Sequence, residues 1–335
     1  MAAASKRSEY FDNAKFILIF LVVFGHVISP LKEYNKVLYT LYTFIYLFHM
    51  PAFIMISGYF AKNFKKKGYL VKTFKKILVP YFIFQVIYSV FYYAIGKEST
   101  IHFDILEPHW SLWFLLSMFF WNVFLYLFSK MGWAGFFVSA GIGIAVGYID
   151  DIGSFMSLSR TFVFFPYFFI GYLLKGNQLQ RLVRNRYSLP IGIVIILATV
   201  ICFAIGIPET AVPWLLGDTS YAGMGGEQLF DGVLRASQYA ATLIVTYGFL
   251  TLIPSSKLKL TKIGERTLYV YLFHGFIIKP VQTILPKESL NVVSENYWIP
   301  IIFSFVVCTI LGSYLVKKYT KPLVEPKLPL GSGGS

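Results

Sequence analysis

Asp12-Asn-Ala-Lys15-Phe-Ile-Leu-Ile-Phe-Leu-Val-Val-Phe-Gly-His26-Val-Ile-Ser-Pro30 is the stretch that decides the architecture. Residues 14–30 form one apolar run, broken only by a lysine near its start and a histidine near its end. A bilayer core roughly 30 Å thick needs about 20 helical residues to cross it. The run has that scale and does not alternate in polarity, so it reads as a membrane-spanning helix and not as a barrel strand. Lys6 and Arg7 precede it as they would a signal peptide, but it ends Val-Ile-Ser-Pro-Leu-Lys, without a small-x-small cleavage pattern, and is expected to be retained.

The pattern recurs along the chain. Further spans are predicted at 37–60, 70–96, 111–129, 133–149, 158–174, 188–206, 233–253, 267–285 and 297–317. With 56% hydrophobic and 19% aromatic residues, the 335-residue chain holds more apolar surface than one soluble core can bury. The expected fold is all-α: a polytopic integral membrane protein of about ten transmembrane helices. Basic residues set its orientation. With the N-terminus inside, 22 of the 30 Lys and Arg fall in cytosolic segments and four in the opposite loops. The positive-inside rule therefore puts both termini in the cytosol. It also accounts for the net charge of +14 as a topology signal at the inner leaflet, so no nucleic-acid partner is implied.

No Pro/Gly/Ser linker marks a second domain. Residues 1–13 read as a cytosolic N-terminal segment, 14–317 as a single transmembrane domain, and 318–335 as a cytosolic tail ending in an expression-vector scar, Gly331 to Ser335. Cys202 and Cys308 lie inside apolar spans without CxxC spacing, so neither a disulfide framework nor a metal site is implied. The longest outer loop, 207–232, carries four acidic residues and no Lys or Arg; a functional loop and a flexible connector suit it equally. Glycines in span 133–149 read as helix-packing positions. Trp110, Trp113, Trp214 and Trp298 read as an interfacial aromatic belt.

An ionisable side chain within hydrocarbon costs at least ~2.5 kcal/mol, so each one is a functional candidate. Lys15 and His26 are eleven residues apart, about three helical turns, and project from one face. The plain alternative has Lys15 snorkelling to the interface and His26 as a hydrogen-bonded core histidine. His49 and Pro51 sit together before Ser57-Gly-Tyr, where a proline kink either serves structure alone or opens a cavity beside His26. The run Lys62, Lys65, Lys66, Lys67, Lys72, Lys75 and Lys76 marks the inner side, with some members free to meet phosphates. Arg160 stands at the outer start of its span, as a lining residue or an interface anchor, and His274 is a further intramembrane histidine.

Together these segments resemble the acyltransferase-3 family, and within it the fucose-4-O-acetylase-like sugar O-acetyltransferases. The family's Arg/Lys-x10-His pattern is matched by Lys15 and His26 behind Asp12. Phe48-His-Met-Pro through Ser57-Gly-Tyr, the basic stretch before Ile77-Leu-Val-Pro-Tyr, Trp110-Ser-Leu-Trp-Phe-Leu, and Ile263 through His274 follow in order. Two departures stand out: a lysine where the family often has arginine, and no appended extracytoplasmic esterase-like domain. Lysine offers phosphate a point charge where arginine offers a bidentate fork.

The resemblance implies a cytosolic acyl-CoA donor, acetyl-CoA by default, and a carbohydrate or glycolipid hydroxyl acceptor at a bacterial cytoplasmic membrane, among membrane lipids. Donor phosphates would meet Lys15, Lys72, Lys75 and Lys76. The Lys15-to-His26 rise of roughly 16 Å suits an extended pantetheine arm that brings the thioester to His26, the expected general base. Asp12, His49, Ser57, Trp113, Arg160 and His274 are the candidate lining residues. The alternative from the same residues is a transporter or flippase for a lipid-linked sugar or polysaccharide. A purely structural subunit leaves the buried charges unexplained. For topology, cysteines replacing Lys66 and Asp218 should label from opposite faces of sealed vesicles, Lys66 from the cytosolic one; labelling of both from one face contradicts the ten-span arrangement.

Overall fold

A chain this apolar can satisfy its backbone in lipid only through helices or a closed barrel. The computed structural model describes residues 8–153, 155–175, 178–226 and 230–326, and every regular element among them is helical. The first four helices are α1 Glu9–Ile28, α2 Lys36–Phe60, α3 Tyr69–Thr73 and α4 Val79–Ala94. Then come α5 Trp113–Phe128, α6 Trp133–Ala145, α7 Leu158–Leu173, α8 Gln178–Val183, α9 Ser188–Gly206 and α10 Ala211–Leu216. The last six are α11 Phe230–Leu252, α12 Thr261–Gly264, α13 Thr267–Ile284, α14 Lys287–Glu295, α15 Trp298–Leu311 and α16 Tyr314–Val324. Lys6, Arg7 and the presumed scar at 331–335 lie outside the described residues.

Each of the ten predicted windows holds a helix, but the helices are not equivalent. By length and composition five can cross a membrane alone: Glu9–Ile28, Lys36–Asn63, Tyr69–Ala94, Trp110–Phe128 and Ser188–Gly206. Two more qualify only as bent pairs, α13 with α14 at 115° and α15 with α16 at 66°. The other three windows fall short for physical reasons. The α6 and α7 helices have 13 and 16 residues, below the roughly 20 that a full crossing needs. The α11 helix has 23 residues but carries Asp231, Arg235 and several threonines, which it buries against its neighbours.

The α2 helix is central, packing against α1, α7, α9 and α11. Its crossing with α7 is set by two glycines: a Cβ at Gly58 would fall on the Phe168 carbonyl, and one at Gly171 on the Met55 carbonyl. Lys62 fastens the same crossing by donating to the terminal α7 carbonyls of Gly171 (3.2 Å), Tyr172 and Leu174 (2.6 Å). One member of the basic run therefore serves as a helix cap. Pro51 cannot donate to the Leu47 carbonyl one turn back, and Thr242 of α11 donates to that oxygen at 3.1 Å. The start of α1 is tied down by Asn13, whose amide donates to Pro254 O and Ser256 O at 2.9 and 2.8 Å.

The acidic loop after α9 is ordered where it is described. Arg235, 1% exposed, donates to Trp214 O at 2.7 Å, and Trp214 stacks on Tyr221 with ring centroids 5.2 Å apart. Arg160 pairs with Asp218. Gly171→Ala tests the α2–α7 contact: overpacking against a backbone carbonyl should cost about 1–3 kcal/mol, seen as a lowered unfolding midpoint in detergent.

Candidate functional site: a column of cavities

Lys15, Ile19, Val22 and His26 follow one another at spacings of four, three and four residues, one face of α1. Ile19 and Val22 line an apolar cavity of about 120 Å³ with Met50, Phe53, Phe114 and Tyr271. Val22 and His26 line the next, a chamber of about 220 Å³ shared with Tyr46, His49, Trp113, Arg160 and Tyr271. One face of α2 runs parallel, through Tyr46, His49, Met50, Phe53 and Ser57, and one face of α5 through Trp113, Phe114, Met118 and Asn122. At one end Ser57, Met118 and Asn122 border a basic cavity of about 530 Å³ with Lys66, Lys67, Lys72 and Lys76. At the other, Trp110 and Arg160 border both the chamber and a vestibule of about 720 Å³.

In and beside the chamber, the three histidines differ in what holds them. His49 Nδ1 lies 2.7 Å from Ile45 O, and His274 Nδ1 lies 2.6 Å from Tyr271 O. A carbonyl only accepts, so Nδ1 carries the proton in both and Nε2 is left as the acceptor. Among the described residues, His274 Nε2 is buried without a partner. His26 has no such lock: its Nδ1 faces the Tyr46 hydroxyl at 3.4 Å, which can donate or accept. Gly25 makes room for that approach, since a Cβ there would sit 2.9 Å from the Tyr46 ring. The His26 ring is also 4.4 Å from Trp110 and 5.4 Å from His274, centroid to centroid.

Trp110 wedges between chamber and vestibule. Its φ of 43° is a conformation that bulky residues rarely adopt. Gly275 supplies the space, because a Cβ there would fall on the indole. Lys279 covers the ring at 4.7 Å. Arg160 lies over Trp113 at 5.0 Å and donates to Leu216 O at 3.3 Å as well as pairing with Asp218. Leu215 and Leu216 of the acidic loop thereby close one side of the chamber. In the vestibule wall, burial lowers the His109 pKa while nearby Glu98 pulls it up; its Nε2 lies 2.9 Å from Ser89 Oγ.

The basic cavity owes its register to a proline. Pro80 cannot donate to the Lys76 carbonyl, and the chain widens into a π-helical turn over Phe74–Leu78. Lys72 and Lys76 line the cavity, while Lys75 does not. Lys15 lines neither this cavity nor the chamber; it pairs with Asp12 at 2.7 Å, one turn below Ile19. Of the residues singled out by sequence, His26, His49, Trp113 and Arg160 thus share the chamber, His274 adjoins it, and Ser57, Lys72 and Lys76 share the basic cavity. Tyr46, Tyr271, Trp110, Lys66 and Lys67 complete these walls. Tyr46 lay within reach of sequence reasoning, one turn before Met50 on the face of His49.

The acyltransferase domain family model matches residues 8–318, nearly the whole chain. The chain belongs to the acyltransferase-3 family. That family is membrane-embedded, which agrees with the long apolar helices of this acyltransferase. Among curated proteins it is similar to the nodulation protein NolL of Sinorhizobium fredii, 24% identical over 83% of this chain and 80% of the relative. The NolL protein of Mesorhizobium japonicum is 23% identical over 88% of this chain and 83% of its own length. No solved structure matches it.

Proposed function

We propose that this acyltransferase moves an acyl group, acetyl by default, from acyl-CoA to a carbohydrate hydroxyl, with His26 as general base. The observation that carries the reading is the column itself: one face each of α2 and α5 runs from the basic cavity to the apolar constriction, where Ile19 and Val22 of α1 join them, and on to the His26 chamber. The donor's phosphates sit among Lys66, Lys67, Lys72 and Lys76, with Lys15 drawn from Asp12 to join them where the column begins. Its thin pantetheine arm passes Ile19, Phe53 and Phe114, and the thioester reaches the chamber. With the basic end in the cytosol, the vestibule opens on the opposite side.

His26 removes the proton of the acceptor hydroxyl as the oxygen attacks the thioester carbonyl carbon. The C–S bond breaks, the acyl group stays on the acceptor oxygen, and the departing CoA thiolate takes up the proton. The carrier alternative finds less support, because six of the eight residues around the 120 Å³ constriction are apolar, with Thr267 and Tyr271 the two that carry hydroxyls, and it offers little to a sugar.

Substitutions at two positions on one helix face test the division of labour. His26→Ala and His26→Gln should lower turnover by about 10²-fold or more while acetyl-CoA still binds, because a base acts in the transition state. Lys15→Ala should do the reverse, weakening acetyl-CoA binding, with Lys15→Arg retaining most of it. Near-normal transfer by folded His26→Gln removes His26 from the reaction; donor affinity indifferent to both Lys15 changes returns Lys15 to the role of interface anchor.

A further inference from the structure

The donor, as placed above, leaves the vestibule of about 720 Å³ unfilled. The vestibule meets the His26 chamber at Trp110 and Arg160, which border both, so a molecule held there can extend one group to His26. Its outer wall is the 96–109 loop, folded back along α4: Gln85 donates to Glu107 O at 2.8 Å and Tyr81 to Ile105 O at 2.6 Å.

One buried hydroxyl along this route has no partner among the described residues: Tyr92, 1% exposed, lines the vestibule, and its Oη is unpaired. Leaving a buried hydroxyl unpaired is unfavourable, and a hydroxyl-rich ligand removes that cost. The charges at the wall are unequal. Glu98, Asp104, Glu107 and Asp218 stand against Lys97 and Arg160, and Arg160 is already engaged by Asp218. Carboxylates accept hydrogen bonds from sugar hydroxyls, but they repel another carboxylate.

We propose that the vestibule is the acceptor subsite, and that it takes an uncharged sugar and discriminates against uronic and sialic acids. This rests on the acyltransferase reading above and adds to it the place and the charge of the acceptor. Tyr92 meets a ring hydroxyl, the carboxylates of Glu98 and Glu107 accept from others, and the reacting hydroxyl passes Trp110 into the chamber.

The test uses the full-length protein in nanodiscs, acetyl-CoA, and methyl glycosides in neutral and acidic pairs, such as glucoside with glucuronide, extended to fucoside, N-acetylglucosaminide and sialoside. Neutral members should be acetylated with kcat/KM about tenfold or more above their acidic counterparts. Glu98→Gln/Glu107→Gln, both changes at the solvent-facing wall, should narrow that ratio to within about threefold. Tyr92→Phe should raise the acceptor KM severalfold and leave the acetyl-CoA KM within about twofold. Equal use of acidic and neutral members, a ratio that ignores the double substitution, or an acceptor KM indifferent to Tyr92→Phe overturns the proposal. Acetyl-CoA hydrolysis without transfer to any neutral glycoside overturns the acceptor assignment alone, whereas no donor turnover at all overturns the acyltransferase reading beneath it.

Discussion

Lipid offers nothing to a histidine, an arginine or a lysine, so such side chains in apolar helices must face one another or an interior space. That constraint organises this protein. His26, His49, His274 and Arg160 come from four helices, α1, α2, α13 and α7, and all are turned toward one chamber or its wall. The apolar constriction continues along the same faces of α1, α2 and α5, and the basic cavity along those of α2 and α5. A three-turn spacing on α1 thus becomes a geometric ruler, with a cation at one end and an imidazole at the other.

Holding a hollow column in a close-packed bundle needs local exceptions to helix regularity. Pro51 leaves the Leu47 carbonyl of α2 without its helical donor beside His49, and Thr242 meets that carbonyl. Gly58 and Gly171 let α2 and α7 touch backbone to backbone. Gly25 and Gly275 admit Tyr46 and Trp110 to the neighbourhood of His26. The acidic loop closes the chamber through Arg160, paired with Asp218 and lying over Trp113. The same few side chains therefore both seal the fold and shape the site.

What was legible in the sequence follows from the strength of each signal. An isolated charge or histidine inside an apolar run is conspicuous, so Lys15, His26, His49, Arg160 and His274 stood out, and helical periodicity correctly gave Lys15 and His26 one face. Aromatic residues carry little such signal where they make up 19% of the chain; Tyr46, Tyr271 and the wedge at Trp110 were hidden among them, and Trp110 read as an interfacial anchor. Lys75 could not be told from Lys72 and Lys76 because the π-helical turn that sets their register depends on how Pro80 is accommodated. Hydropathy placed a helix in all ten windows, but it could not show which helices stand alone. Whether α6, α7 and α11 can be so short or so polar depends on the neighbours that cover them.

A structure of the protein bound to a non-hydrolysable acetyl-CoA analogue tests the donor path most directly. The predicted result puts the phosphates among Lys66, Lys67, Lys72 and Lys76, the pantetheine arm beside Phe53 and Phe114, and the acyl carbonyl next to His26. An analogue that enters from the vestibule, or whose acyl group stops short of the chamber, contradicts it.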